Sequence, residues 1–331
     1  MTASANRLLG FDALRGVAAL VVLFYHIQMR YKTGSVWTMG ALAVDLFFLL
    51  SGYVMARTYE ARLASGLGFG PFMAGRFRRL WLPYAIGLGI GLAWWLTDSL
   101  GLGAGLVSLA FGLLFLPTPM MGRNIFALNT PGWSLFFELA ANALHALVLA
   151  RLGNRALIAL LGLAAALFWA MSFDAGWLLA GTKLDFWPFA AVRTLVPYLI
   201  GILLWRLARD RGPQLPWWAT LVALPLVIVA GKQAPQPLFQ VLFVLLVCPL
   251  LVLCALRFEA GAAVSRVASA LGTLSYPLYA VHMPVLYFCQ RAGWPWQATL
   301  AATLAAGTAT AMLVARLPAG WPFVRSRPVP N

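Results

Sequence analysis

The sequence predicts an all-α protein, a polytopic membrane helical bundle of about ten transmembrane helices with one re-entrant or interfacial segment. Of its 331 residues, 62% are hydrophobic and only 10% are charged, and the mean hydropathy is +0.83. Because a soluble domain of this length carries roughly 25% charged residues, a water-soluble globule is excluded. Apolar runs of membrane-spanning length recur along the whole chain, separated by short loops that contain Arg, Pro and Gly.

Ten of these runs are long enough, some with their flanks, to cross a hydrocarbon layer about 30 Å thick. They are residues 11–29, 40–57, 80–97, 132–150, 156–173, 188–205, 217–231, 237–256, 271–290 and 296–316. The first run contains Asp12 and Arg15 and is expected to be an uncleaved helix rather than a signal peptide. A further run, 104–117, is short, Gly-rich at its start and bounded by proline, which favours a re-entrant or interfacial segment.

The distribution of positive charge supports this assignment. With the N-terminus inside and 104–117 not crossing, seventeen arginines fall on the cytoplasmic side, six Lys or Arg residues fall outside, and Arg193 lies within a span. If 104–117 crossed, the two sides would be nearly equal, so the positive-inside rule predicts that both termini are cytoplasmic. The same asymmetry accounts for most of the formal net charge of +15, and nucleic acid is therefore not expected as a partner.

We expect a single integral membrane domain over residues 1–331 without an appended soluble domain, because the longest hydrophilic stretches have only the length of loops. Cys248, Cys254 and Cys289 lie inside apolar runs and form no CxxC pair, so neither a disulfide framework nor a metal site is expected.

Arg15 and His26 share the first predicted span. Eleven residues of helix give about 16.5 Å of rise and three turns plus about 20° of rotation, so both side chains point the same way. A histidine on an apolar helix suits proton transfer, since imidazole gains and loses protons near neutral pH. A packing histidine bonded to a neighbouring carbonyl, with Arg15 as a flanking cation, explains the spacing equally well.

Two acids lie in the outer halves of their predicted spans. Asp45 lies in the second span, where it would orient or stabilise the imidazole of His26, pair with an arginine, or cap a helix start. Glu138 begins a polar stripe that continues through Asn142 and His145, and such a stripe must face a cavity or the bundle interior. Glu138 is the functional candidate of this stripe, whereas His145 is interpreted as structural.

Two further constellations carry candidates. Arg76 and Arg79 precede the third span at its inner mouth, where they are either a topogenic cluster or a phosphate site, because guanidinium groups match phosphate oxygens. Ser275, Tyr279 and His282 fall at positions i, i+4 and i+7, which places them on one polar face of an apolar helix. We interpret these three as candidate substrate-binding residues; for His282, a second acid–base group and a satisfied core histidine are the alternatives.

The candidates separate by depth. Three arginines are expected at the inner face: Arg15, Arg76 and Arg79. The candidate base, His26, and the candidate acids, Asp45 and Glu138, are expected further out. A ligand with an anionic head and a long reactive arm would explain both sets, and coenzyme A thioesters have that shape.

Five segments, in order, resemble the acyltransferase-3 family of membrane proteins, which includes bacterial O-acetyltransferases of surface polysaccharides. They are the Arg-x10-His pattern of residues 15–26, the Asp-Leu-Phe-Phe run within 45–52, the Arg-x-x-Arg motif of 76–79, Trp-Ser-Leu-x-x-Glu at 133–138, and Ser-Tyr-Pro-Leu-Tyr within 275–282. Two features depart from the family pattern: no hydrolase-like domain follows the last span, and Ala43 replaces a common glycine.

The resemblance implies transfer of an acyl group, usually acetyl, from cytoplasmic acyl-CoA to a hydroxyl of a glycan or similar acceptor in the bacterial inner membrane. It implies O-acetylation of the polysaccharide-modification type, with acyl-CoA as a co-substrate, no tightly bound cofactor, and membrane lipids as surroundings. It also implies that Arg15, His26, Arg76, Arg79 and Glu138 are the functional positions. On this hypothesis the arginines hold coenzyme A, His26 is the general base or transient acyl carrier, and Glu138 or Asp45 orients its ring.

Two other functions fit the residues. A proton-coupled transporter would use His26, Asp45 and Glu138 as a relay, although the sequence shows no two-half repeat. A polyprenyl-linked glycan transferase or flippase accessory is the second alternative.

Overall fold

A computed structural model of the protein describes residues 8–97, 101–119, 124–173, 182–209, 211–214 and 216–317. This described part consists of helices and their connections and contains no β-strand. The helices are α1 (Leu9–Tyr31), α2 (Ala43–Ala64), α3 (Phe69–Thr97), α4 (Leu102–Leu113), α5 (Gly132–Leu147), α6 (Asn154–Ser172), α7 (Trp187–Ala208), α8 (Trp217–Ala230), α9 (Gln236–Leu242), α10 (Cys248–Leu256), α11 (Ala262–Arg291) and α12 (Trp296–Arg316). A π-helical turn, Phe243–Val247, makes α9 and α10 one continuous rod.

The predicted polytopic helical bundle is confirmed. Eight helical stretches of the described residues are long and apolar enough to cross a membrane: α1, α2, α3, α5, α6, α7, the α9–α10 rod and α12. The other two predicted spans also form helices, of which α8 has only 14 residues. α11 has 30 residues but is more polar, because it carries the predicted Ser, Tyr and His face.

The short apolar run forms the 12-residue helix α4. At 1.5 Å a residue, α4 is roughly 18 Å long, well short of a hydrocarbon layer of about 30 Å. Its chain then turns at Phe115, which has a left-handed backbone (φ 58°) and a buried ring stacked on Tyr84 at 4.8 Å between centroids. This length agrees with the re-entrant or interfacial assignment.

Close contact between α2 and α7 forms the centre of the bundle. A Cβ added at Gly52 would collide with the carbonyl oxygen of Tyr198, and one at Gly201 would collide with that of Leu49. Small residues let two backbones approach in this way, and in a membrane such packing drives helix association. The crossing fixes α2, which carries Asp45 and Ser51, against α7, which carries Arg193.

The chain before α5 folds into the bundle instead of running along its surface. Phe126, Leu128 and Asn129 are all buried, and the amide Nδ2 of Asn129 donates a 2.8 Å hydrogen bond to the carbonyl of Ala280 in α11. That carbonyl lacks its helical donor because Pro284, four residues later, has no N–H. The proline and the buried segment together make α5 begin deep inside the bundle.

A polar cluster joins α2 and α7 at the end of the bundle that carries most of the arginines. Nε of Arg206 donates to both carboxylate oxygens of Glu60, at 3.0 Å each. Nη1 of Arg206 donates to the carbonyl of Leu152. Nε2 of the buried His145 lies 3.9 Å from Oε1 of Glu60. Oδ1 of Asn142 accepts a hydrogen bond from the hydroxyl of Tyr198. Asn142 and His145 thus contact α7 and α2, respectively, and line neither of the two cavities described below.

Candidate active site

The structure brings the candidate residues into two adjacent cavities. The inner cavity, of about 100 Å³, lies toward the predicted cytoplasmic side and is lined by Arg15, Arg76, Arg79, Glu138 and hydroxyl groups. The outer cavity, of about 70 Å³, is lined by His26, Arg193 and aromatic and threonine side chains. Arg15 and His26, on one face of α1, thus line different cavities, as their 11-residue separation requires.

Arg76 is the central group of the inner cavity. It is only 3% exposed, and its Nη2 lies 3.1 Å from Oε1 of Glu138. Its Nε and Nη1 are buried without a hydrogen-bond partner among the residues that the structure describes. Because a buried unpaired N–H costs free energy, these two donors indicate a site for an anionic or carbonyl ligand.

The other two predicted arginines complete this positive wall. Arg79 follows Arg76 by three residues on the same face of α3 and lines the same cavity, opposite Arg15 from α1. Arg78 lies between them and is exposed to the surroundings. The Arg-x-x-Arg spacing therefore aims two of the three cluster arginines into the cavity.

Glu138 does not lie where the sequence analysis placed it. It was expected beside His26, but its carboxylate accepts hydrogen bonds from Arg76 and, at 3.3 Å, from Ser51. Glu138 lines the inner cavity with the three arginines, whereas His26 lines the outer cavity.

Asp45 also lies apart from His26. It is completely buried and binds Arg193 through two hydrogen bonds, Nε to Oδ1 at 2.8 Å and Nη2 to Oδ2 at 2.9 Å. Arg193 is 2% exposed and also donates to the carbonyl of Ala41. Of the three alternatives given for Asp45, the structure shows the pair with an arginine, because each buried charge needs a counter-charge.

His26 instead contacts another histidine. Its Nδ1 lies 3.0 Å from the carbonyl of Val22 and 3.1 Å from Nε2 of His282. His282 is 1% exposed, and its own Nδ1 lies 2.7 Å from the carbonyl of Tyr279. Of the roles predicted for His282, the structure shows a buried histidine that bonds a carbonyl of its own helix and the ring of His26, and it does not line either cavity.

Tyr279 lies between the two cavities. Its side chain and Val44 line both of them, and its hydroxyl lies 2.7 Å from the hydroxyl of Ser134. Ser134 donates to the carbonyl of Pro131 and so accepts from Tyr279. Ser275 lines the inner cavity and donates to the carbonyl of Gly272.

Three site residues were missed from the sequence: Arg193, Ser51 and Ser134. Arg193 carried a usable signal, since a lone cation in the middle of an apolar span is a functional candidate by default. The two serines lie within the segments 45–52 and 133–138 that resemble the family, but their residue type did not mark them, because hydroxyl groups are common in membrane helices and bond their own backbone. Among the described residues, no group of three or more His, Cys, Asp or Glu side chains is arranged to hold a metal ion.

The contacts also bear on the relay required for proton transport. His26 bonds His282, Asp45 bonds Arg193, and Glu138 bonds Arg76 and Ser51. The three groups of the supposed relay therefore lie in three separate contacts and do not form a chain.

Comparisons with known proteins identify the family of the chain. A family model described as an acyltransferase domain matches residues 8–319. Protein 2 in the picA locus of Rhizobium radiobacter is 36% identical over 158 residues, which are 43% of this chain and 82% of that protein. A putative peptidoglycan O-acetyltransferase of Bacillus subtilis (strain 168) is 37% identical over 78 residues, which are 23% of this chain and 11% of that protein. No solved structure matches the chain.

Proposed function

The chain belongs to the acyltransferase-3 family and is a membrane acyltransferase, and from this premise we propose that it is an acyl-CoA-dependent O-acyltransferase. It moves an acyl group, in the simplest case acetyl, from cytoplasmic acyl-CoA to a hydroxyl of a glycan or similar acceptor. Its place is the bacterial inner membrane, with both termini in the cytoplasm. The printed name of the Bacillus subtilis relative, a peptidoglycan O-acetyltransferase, supports a glycan hydroxyl as acceptor.

One observation carries the proposal: unsatisfied arginine donors and a histidine lie in adjacent cavities. Arg15, Arg76 and Arg79 line the inner cavity, and Nε and Nη1 of Arg76 have no hydrogen-bond partner among the described residues. The outer cavity offers the imidazole of His26. A donor with a phosphate-bearing head and a thioester arm uses both, because the arm reaches past Tyr279 while the head stays on the arginine side.

His26 serves as general base through its Nε2, since Nδ1 already faces the carbonyl of Val22. The base takes the proton of the acceptor hydroxyl, and the hydroxyl oxygen forms a bond to the thioester carbonyl carbon. As the tetrahedral intermediate collapses, the carbon–sulfur bond breaks and the coenzyme A sulfur receives that proton from the imidazolium. Transient acylation of His26 is the alternative two-step route, with the same net balance.

The remaining residues position these groups. Glu138 holds Arg76 through the hydrogen bond to Nη2, which leaves the other guanidinium nitrogens for the donor. Asp45 neutralises Arg193 in the wall of the outer cavity. Ser275 and Tyr279 line the path of the acyl group.

The test uses purified protein in lipid nanodiscs with radiolabelled acetyl-CoA. Saturable binding and transfer of label to a glycan hydroxyl are expected for the wild type. His26→Ala should bind acetyl-CoA normally but lose transfer by about a thousandfold or more, whereas the matched variant His145→Ala should retain it. Absence of saturable binding to the wild type, or full transfer by His26→Ala, would overturn the proposal.

The acceptor class is read from the cell. Mass spectrometry of surface glycans, with and without the gene, is expected to show a difference of one acetyl unit per modified sugar. An unchanged glycan profile together with an acetylated small metabolite would exclude polysaccharide as the acceptor.

A further inference from the structure

We propose that His282 is a positioning residue for His26: it accepts the Nδ1 proton of His26 and so keeps the lone pair of Nε2 directed at the acceptor hydroxyl. The inference rests on the proposed function for its kinetic consequence. Its geometric content, a hydrogen bond of defined polarity between two imidazoles, stands on the contacts alone.

The carbonyl groups at both ends of the pair define where the protons are. A carbonyl oxygen accepts and never donates a hydrogen bond, so Nδ1 of His282, 2.7 Å from the carbonyl of Tyr279, carries a hydrogen. Nδ1 of His26, 3.0 Å from the carbonyl of Val22, carries one for the same reason. In neutral imidazoles the second nitrogen is then an acceptor, which makes Nε2 of His282 the acceptor for Nδ1–H of His26 at 3.1 Å.

This polarity leaves Nε2 of His26 as a lone pair in the outer cavity. Both hydrogen bonds of His26 within the described residues are made by Nδ1, and the ring lines the outer cavity. When Nε2 takes a proton, the ring becomes positively charged, and Nε2 of His282 then accepts from a stronger donor. The bond therefore tightens as charge develops on His26, which is the condition for stabilising a transition state.

A neutral partner suits this location better than a carboxylate. The described acids closest to the cavities, Asp45 and Glu138, are each bonded to an arginine. A third carboxylate behind His26 would need its own counter-charge in a low-dielectric interior. Imidazole supplies a hydrogen-bond acceptor without placing a fixed charge in the membrane.

The backbone around His282 is held from outside the helix. Pro284 leaves the carbonyl of Ala280 without a helical donor, and Asn129 satisfies it at 2.8 Å. His282 itself bonds the carbonyl three residues earlier. Its ring therefore has a fixed direction before any substrate arrives.

Two variants separate the two hydrogen bonds of His282. In His282→Gln, the amide reaches the position of Nε2 and its oxygen replaces the acceptor for His26. In His282→Asn, the shorter amide replaces Nδ1 and keeps only the bond to Tyr279. A third variant, His282→Leu, removes both hydrogen bonds. We expect the Gln variant to retain kcat within about tenfold and the Asn and Leu variants to lose about a hundredfold, with the KM for acetyl-CoA unchanged.

The opposite order overturns the proposal: if Asn retains activity and Gln loses it, His282 serves the backbone of α11. Equal losses in all three variants, or a loss confined to the KM for acetyl-CoA, overturn it as well. His145→Gln is the matched control and is expected to leave kcat unchanged, since His145 lies beside Glu60 and lines neither cavity.

A spectroscopic measurement tests the proposal independently of enzyme activity. The chain has 3 histidines, so nitrogen NMR of protein with isotope-labelled histidine resolves each ring after single substitutions. Resting His26 is expected to be protonated at Nδ1 and unprotonated at Nε2, with a coupling across the hydrogen bond to Nε2 of His282. A proton on Nε2 of His26 would overturn the proposal whether or not the protein transfers acyl groups. If the expected protonation of both rings is found in a protein that transfers no acyl group, only the proposed function is overturned.

Discussion

Arg76 reaches Glu138 through one guanidinium nitrogen, Nη2, at 3.1 Å from Oε1, while its other two nitrogens remain buried without partners among the described residues. The acid therefore holds the arginine through one nitrogen and leaves its other two without a partner among the described residues. On the proposed function, these two nitrogens are available to the acyl donor at the inner cavity, which Arg76 lines.

Arg76→Lys is expected to weaken acetyl-CoA binding by about tenfold or more, because an ammonium lacks the fork that bonds Glu138 and a ligand at once. Equilibrium binding of acetyl-CoA to purified protein measures the effect. Arg78→Lys is the control on the same helix, since Arg78 is exposed, and equal weakening in both variants would contradict a specific role for Arg76.

Glu138→Gln is expected to change acetyl-CoA binding more than the chemical step. Its amide oxygen still accepts from Arg76 and Ser51, and the residue does not contact His26. Single-turnover transfer at saturating acetyl-CoA should stay within about tenfold of the wild type. A loss as large as that of His26→Ala, with unchanged binding, would show that Glu138 acts directly on the base.

Asp45→Asn is expected to lower the free energy of unfolding by about 3–5 kcal/mol, because it leaves Arg193 as an uncompensated charge in the bundle. Thermal unfolding in detergent measures the change. Asp185→Asn, at an exposed acid, should have almost no effect. A stable Asp45→Asn protein that has lost only catalysis would instead support the alternative in which Asp45 serves His26.

Gly52→Ala is expected to destabilise the bundle by about 1–3 kcal/mol, since the new methyl group collides with the carbonyl of Tyr198 at the crossing of α2 and α7. Gly89→Ala is the matched control in α3. Nothing lies within 4 Å of a Cβ added there, and alanine is the better helix former. Equal melting temperatures for the two variants would show that the crossing is not close packed.

The helical spans could be predicted because hydrophobic length is a local property of the chain. The shared face of Arg15 and His26 followed from helix geometry alone. Depth within the bundle could not be predicted for Glu138, because the start of α5 depends on how the segment before it folds against α11. Nothing in the local sequence marks Asn129 as the residue that anchors this segment.

The partners of the buried charges could not be predicted from the sequence either. Asp45 was assigned three alternatives, and the choice among them depends on Arg193, which lies 148 residues later in the chain. His26 and His282 are 256 residues apart, and no periodic pattern connects two different helices. Pairing across a bundle is a property of the packed structure, whereas the sequence displays each member by itself.

Tyr279 gives the proposed reaction a direction in space. Its side chain lines both the inner and the outer cavity, so on the proposed function a carrier held on the inner arginines never needs to cross. On the proposed function, only a small acyl group passes the ring, and the ionic barrier of the membrane stays closed behind it. On the same proposal, the free energy of thioester cleavage drives both the formation of the new ester bond and the movement of the acyl group across the membrane. The enzyme would then translocate a chemical group as well as catalyse its transfer.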